Sequence, residues 1–301
     1  MPETLVILNP HAGGGKAGRI WSQISPIFDR HFEGWQLART EQPRDVLPLL
    51  ERTSTITRVI AIGGDGTNHA VINALMRLQE NSPDRAQIVY GNLPVGTGRD
   101  WARERGIPFS PVAAVEWLAT MQPRAFDVGH VLLDNDVSRY FLNIVSTGLG
   151  GEVDARVNAV HTPRPWTFLR ATVSAIWNYN PQRVNIALDG EGWYDDRAYL
   201  AVVANGTTFG HGMRIAPEAS THDGLFDVVL VEAMPKRRLL AKLGHVYFGT
   251  HLKQVGVRFH RARQVEIRSE NTPLALDLDG EYAQSHTLRL TVRPAALLML
   301  A

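Results

Sequence analysis

Short apolar runs alternate with longer periodic stretches through the first part of the chain. Leu5–Leu8, Trp35–Thr40 and Val59–Ile62 read as strands, whereas Ala17–Phe32, Arg44–Leu50 and His69–Leu78 carry helical spacing. Such alternation is the pattern of a parallel sheet covered by helices. A last helical pattern spans Pro111–Thr120, after which Met121-Gln122-Pro123-Arg124 breaks the periodicity.

Beyond Arg124 the texture changes to strands. They are expected at Ala125–Leu133, Arg139–Val145, Arg183–Leu188, Ala198–Ala204, Phe226–Val231, Val255–Phe259, Gln264–Arg268, Leu274–Leu278 and Leu288–Val292. Helical patterns interrupt them at Gly151–Ala159, Trp166–Trp177 and Lys236–Gly244. Two domains follow: an α/β domain over residues 1–124, with 294–301 as a candidate completion, and a β-rich domain over 125–293. A length of 301 residues with 44% hydrophobic content supports two cores.

A formal net charge of +1 gives no global attraction to nucleic acid, so no nucleic-acid partner is expected. The chain has no cysteine, which excludes thiolate chemistry and makes a reducing cytoplasm the simplest compartment. No apolar stretch approaches the ~18 residues of a spanning helix, so a membrane substrate would be met from the surface. None of the eleven histidines forms an HxH or HExxH pair.

Glycine-rich segments follow the first and third strands, at the strand ends where open α/β sheets collect ligands. Asn9-Pro10-His11-Ala12-Gly13-Gly14-Gly15-Lys16 suits phosphate binding at a helix N-terminus. It is not a Walker A loop, because Ala17 stands where a Mg²⁺-holding hydroxyl would be. A tight turn built only for glycine geometry would look similar. Gly63-Gly64-Asp65-Gly66-Thr67-Asn68 is more specific: its glycines allow a triphosphate to approach, Thr67 and Asn68 can donate or orient, and Asp65 can hold Mg²⁺.

These motifs resemble the diacylglycerol kinase catalytic-domain family, which includes bacterial lipid kinases and sphingosine kinases and is distantly related to NAD kinases and phosphofructokinases. Leu93-Pro94-Val95-Gly96-Thr97-Gly98, Ala216-Pro217-Glu218, Asp223-Gly224-Leu225 and Leu278-Asp279-Gly280-Glu281 occur in the family's order, so the resemblance spans the chain. It implies a three-layer α/β nucleotide domain of the NAD kinase and diacylglycerol kinase type followed by a β-sandwich-like domain, with ATP between them.

The resemblance implies ATP contacts from Asn9, Lys16, Thr40, Gly63, Gly64, Asp65, Gly66, Thr67, Asn68, His69, Gly96 and Thr97. It makes Glu281 the proton acceptor for a lipid hydroxyl, with Asp279 beside it, and gives Mg²⁺ a loop formed by Asp223, Ser220 and Leu225. The expected activity is an ATP-dependent lipid kinase of phospholipid biosynthesis, a cytoplasmic protein meeting its lipid at the membrane surface. Diacylglycerol is the leading acceptor and phosphatidic acid the product. An NAD kinase-like enzyme and a non-catalytic nucleotide- or lipid-binding protein are the rivals, and a homodimer is left open.

Two positions depart from the family pattern. Arg99 stands where asparagine is common, and His69 where glutamate is frequent. Three further readings concern the second domain. Trp166, Phe168, Trp177 and Tyr179, among Arg164, Arg170 and Arg183, could touch anionic headgroups but are first read as core. Phe209–Arg214 could border a lipid pocket. Asp279-Gly280 alone would be read as a hairpin turn.

Overall fold

A computed structural model describes residues 3–53, 55–95, 100–158, 167–210 and 212–301. The chain divides into two compact units, Met1–Asp127 with Pro294–Ala301, and Val128–Arg293.

The first unit runs β1 (Glu3–Leu8), α1 (Ala12–His31), β2 (Gln36–Arg39), α2 (Val46–Glu51), β3 (Ile56–Gly63), α3 (Asp65–Asn81), β4 (Val89–Pro94), α4 (Asp100–Glu104) and α5 (Pro111–Thr120). Next comes β5 (Pro123–Leu133), which contributes residues to both units. The second unit continues with β6 (Ser138–Phe141), β7 (Ile144–Gly148), α6 (Leu149–Asn158), α7 (Thr167–Asn178), β8 (Gln182–Leu188), β9 (Glu191–Ala204) and β10 (Phe226–Glu232). It closes with α8 (Lys236–Tyr247), β11 (Val257–Ala262), β12 (Gln264–Arg268), β13 (Leu274–Leu278), β14 (Glu281–Ser285) and β15 (Thr287–Leu300), whose end belongs to the first unit.

In the first unit β1 pairs in parallel with β2 on one side and β3 on the other, and β4 joins β3 and the end of β15. Leu5, Val6, Ile7 and Leu8 are all buried, as parallel strands covered on both faces require. Helices α1 and α5 cover one face with Ala17, Ile20, Ile24, Ile27, Phe28, Val115 and Leu118, packed on Val6, Leu8, Ile60 and Ile62. Helix α3 contacts β3 and packs against α2. Chain order places the switch between β1 and β3, where open sheets form their ligand crevice.

The second unit is β-sandwich-like, and β9 explains how. Its first half pairs with β8, which continues through β12 to β15, whereas its second half lies between β7 and β10. One long strand thereby joins two parts of one continuous sheet, as at the corner of a packed sandwich. Val184, Ile186, Val265 and Leu290 from one side share a core with Val145, Val203, Val228 and Leu276 from the other.

Several boundaries differ from the sequence reading. The run Arg139–Val145 is two strands, broken at Leu142–Asn143 because the amides there turn to a side-chain carboxylate described below. Ala198–Ala204 is the second half of a strand beginning at Glu191, where polar positions hide the pattern. Leu288–Val292 and the C-terminal Ala295–Leu300 form the single strand β15; Pro294 and the left-handed Ala295 (φ 50°) bend it, and the Ala295 amide is held by Asp127 at 2.8 Å. Among the described residues no helix is long and apolar enough to cross a membrane.

Candidate active site

The C-terminal edge of the parallel strands gathers most of the motif residues. Asn9 follows β1, and its amide binds the Ile62 carbonyl at 3.1 Å. Its side chain crosses the switch point to donate to the Thr67 hydroxyl at 3.1 Å, while its carbonyl oxygen accepts the His11 amide. Thr40 follows β2, buried, with its amide on the Leu8 carbonyl. The Val95 amide binds the Gly63 carbonyl at 2.7 Å, drawing the residue after β4 to the same edge.

The three glycines after Ala12 take left-handed φ of 61°, 65° and 78°, a run that side-chain-bearing residues avoid. A Cβ on Gly13 would also lie 2.6 Å from the Val95 carbonyl oxygen. Lys16 stands exposed where the regular turns of α1 begin. A cation is thus placed directly after a backbone loop, as anion binding requires.

The Gly63–Asn68 segment differs from the expected turn. Gly63 ends β3 and helix α3 begins at Asp65, so only Gly64 lies between them, as the N-cap. Gly63 is required for space: a Cβ there would meet the Thr67 hydroxyl at 2.3 Å. Asp65 lies exposed in the first helical turn, where unsatisfied amides favour a carboxylate. Asn68 is buried and accepts the Tyr90 hydroxyl at 2.5 Å. Burial pushes the Tyr90 phenol well above its ordinary range, keeping the donor protonated. His69 follows directly in α3, and its backbone carbonyl accepts the Asn73 side-chain amide. Gly96 and Thr97, with Gly98 and Arg99, lie outside the described residues.

The second unit carries the carboxylates. Asp279 and Gly280 link β13 to β14 with φ of 52° and 92°, the two-residue turn that Asp-Gly favours. Glu281 opens β14 opposite Leu278. Its carboxyl is pushed up from the usual glutamate range by burial, against the opposing pull of Arg139.

Asp279 is tied to the backbone of the neighbouring strands. Its carboxylate accepts the amides of Leu142 at 2.6 Å, Asn143 at 3.0 Å and Ile144 at 2.8 Å. Both oxygens are engaged in holding the break between β6 and β7. Asn205 completes this junction by donating to the Leu142 carbonyl at 2.7 Å, and Asn143 donates to the Thr208 carbonyl at 2.8 Å. Sequence reading missed Arg139, Asn143, Asn205 and Asp277; the asparagine inside Phe141-Leu142-Asn143-Ile144 was the available signal for the break.

An apolar cavity in this unit, about 100 Å³, lies among α6, α7, α8 and β9. Leu149, Val153, Ile176, Leu200, Leu239 and Leu243 are among its lining. Phe209 and Met213 also line it and exchange backbone bonds of 3.0 and 2.9 Å, whereas His211 lies outside the described residues. Asp277 belongs to the same wall, and its carboxylate accepts the Gly280 amide at 2.7 Å. The hairpin that bears Glu281 therefore contributes one residue, Asp277, to the cavity wall.

In the Ser220–Leu225 loop, the exposed Asp223 carboxylate accepts the Leu225 amide at 3.1 Å, and Gly224 is left-handed. Among the described residues no group of three His, Cys, Asp or Glu side chains could hold a metal. One carboxylate with the peptide oxygens of Ser220 and Leu225 fits a hard cation whose remaining ligands are water.

Two family models match the chain: the diacylglycerol kinase catalytic domain over residues 3–131, and the YegS C-terminal NAD kinase beta sandwich-like domain over residues 143–301. The chain belongs to the diacylglycerol kinase and YegS type of lipid kinase family. A Pseudomonas fluorescens relative named "Probable lipid kinase YegS-like" is 31% identical over 89% of this chain and 86% of its own. A Mycobacterium tuberculosis relative named diacylglycerol kinase is 29% identical over 80% of this chain and 76% of its own. A crystal structure of a diacylglycerol kinase from Bacillus anthracis shares the fold, with a TM-score of 0.75 at 21% identity, covering 99% of this chain and 96% of that one. For this lipid kinase, membership implies use of ATP.

Proposed function

We propose that this lipid kinase transfers the γ-phosphoryl group of Mg-ATP to the hydroxyl of diacylglycerol, giving phosphatidic acid. The observation that carries the reading is the hairpin β13–β14, which lines an apolar cavity through Asp277 and bears a half-buried carboxylate, Glu281, at its turn. An apolar lining of this kind suits acyl chains, and a carboxylate at the adjoining turn suits an alcohol.

The donor side rests on Asn9, Thr40 and the Gly63–Asn68 segment at one sheet edge, with Lys16 offsetting phosphate charge. Mg²⁺ accompanying the nucleotide supplies charge neutralisation, and Asp65 is the carboxylate suited to its water shell. Asp223, Ser220 and Leu225 would hold a second, structural ion. Glu281 takes the hydroxyl proton as the new bond from the lipid oxygen to phosphorus forms. The bond from phosphorus to the bridging oxygen breaks, and ADP leaves with that oxygen.

Incubation with labelled ATP and either mixed lipids or NAD tests this. Labelled phosphatidic acid is expected. Labelled NADP would favour the NAD kinase reading, a different labelled lipid would replace diacylglycerol as acceptor, and binding without ADP formation would leave a non-catalytic protein.

A further inference from the structure

The second unit carries a surface that its core does not explain. In α7, Leu169, Val173 and Trp177 recur every fourth residue and are 47%, 40% and 59% exposed. Thr172, Ala175 and Ile176 of the same helix are buried. The helix therefore has two faces with apolar side chains, and the outer one is open to solvent. The expectation that Trp177 is core is overturned; Tyr179 is half-buried, its hydroxyl on Gln182, and Trp166 lies outside the described residues.

Helix α8 supplies charge. It begins Lys236-Arg237-Arg238, and both arginines are exposed. Three cations in a first turn oppose the helix dipole, which favours acidic residues there, so helix stability does not account for them. Together α7 and α8 hold five lysines and arginines, Arg170, Lys236, Arg237, Arg238 and Lys242, and no carboxylate. The whole chain is nearly balanced at +1, so this is a local concentration. The Lys236 ammonium donates to the Trp177 carbonyl at 2.6 Å, joining the aromatic end of one helix to the basic start of the other. At the far end of α8, Tyr247 and Phe248 are 38% and 76% exposed.

Apolar side chains beside unopposed cations match the boundary of an anionic bilayer, where the former enter the acyl edge and the latter meet lipid phosphates. Behind this surface is the cavity: Thr172 and Ile176 of α7 and Leu239, Lys242, Leu243 and Val246 of α8 line it. We propose that the outer faces of α7 and α8 dock on an anionic bilayer, and that the acceptor lipid passes from the bilayer into the cavity between these helices. The second half rests on the proposed lipid kinase activity; the docking surface does not.

Sedimentation with phosphatidylcholine vesicles, with and without phosphatidylglycerol, tests the docking. The wild type is expected to pellet with anionic vesicles and to be released by salt. Leu169→Ser, Val173→Ser and Trp177→Ser combined should abolish pelleting. Arg237→Gln with Arg238→Gln should weaken it about tenfold. Both variants alter exposed side chains, so their melting temperatures and their turnover of short-chain diacylglycerol in detergent should match the wild type. Undiminished pelleting of either variant, or none by the wild type, overturns the assignment. Because pelleting reads no phosphoryl transfer, it is decided separately from the activity.

Discussion

Asn9 donates its side-chain amide to the Thr67 hydroxyl at 3.1 Å across 58 positions of sequence, tying the loop after β1 to the first turn of α3. Both loops carry proposed nucleotide contacts, and the bond spans the point where the strand order reverses. Asn9→Ala is expected to raise the KM for ATP more than it lowers kcat, with a stability loss of about 1 kcal/mol. Steady-state kinetics over ATP concentration, with a thermal melt, would measure both.

Asp279 and Glu281 sit two residues apart and should respond differently. Asp279→Ala leaves the Leu142, Asn143 and Ile144 amides without their acceptor, a loss of roughly 3 kcal/mol or more, and activity should fall with stability. Glu281→Gln should remove phosphoryl transfer while leaving the denaturation midpoint within error. Full activity in Glu281→Gln would remove it as the base.

Burial raises the Glu281 carboxyl and Arg139 lowers it, so pH provides a further test. A base works only when deprotonated. Activity should therefore fall, as pH decreases, at a value above the ordinary glutamate range. Arg139→Gln removes the lowering influence, and the acidic limb of the kcat/KM profile should move to higher pH. A limb that stays in place would separate Arg139 from the base.

The cavity makes a prediction about chain length. Leu239→Trp places added volume in its lining and should raise the KM for long-chain diacylglycerol more than for short-chain diacylglycerol. Equal effects on both would mean that the acyl chains lie elsewhere. The same comparison should be unaffected by Asn9→Ala, which belongs to the nucleotide side.

Metal dependence divides in the same way. Asp65→Ala should abolish Mg-ATP-dependent turnover at constant fold, because it removes the carboxylate from the donor loop. Asp223→Ala should instead lower the melting temperature measured with Mg²⁺ towards that measured with chelator. A chelator-induced shift of equal size in wild type and Asp223→Ala would move the structural ion away from this loop.

Local chemistry in the sequence determined much of this protein. The buried run Leu5–Leu8 and the period of α1 follow from hydrophobic spacing, and Gly13–Gly15 and Asp279-Gly280 follow from backbone conformations that few other residues accept. What side chains do across long separations was decided only by tertiary structure. Asp279 holds amides more than 130 positions away, and Asp277 joins the β13–β14 hairpin to an apolar cavity built from several distant segments. The stripe Leu169, Val173 and Trp177 has the spacing of a core face, and only its position on the outside of α7 makes it a surface. Periodicity states that a face is apolar; the packing of distant elements states what covers it.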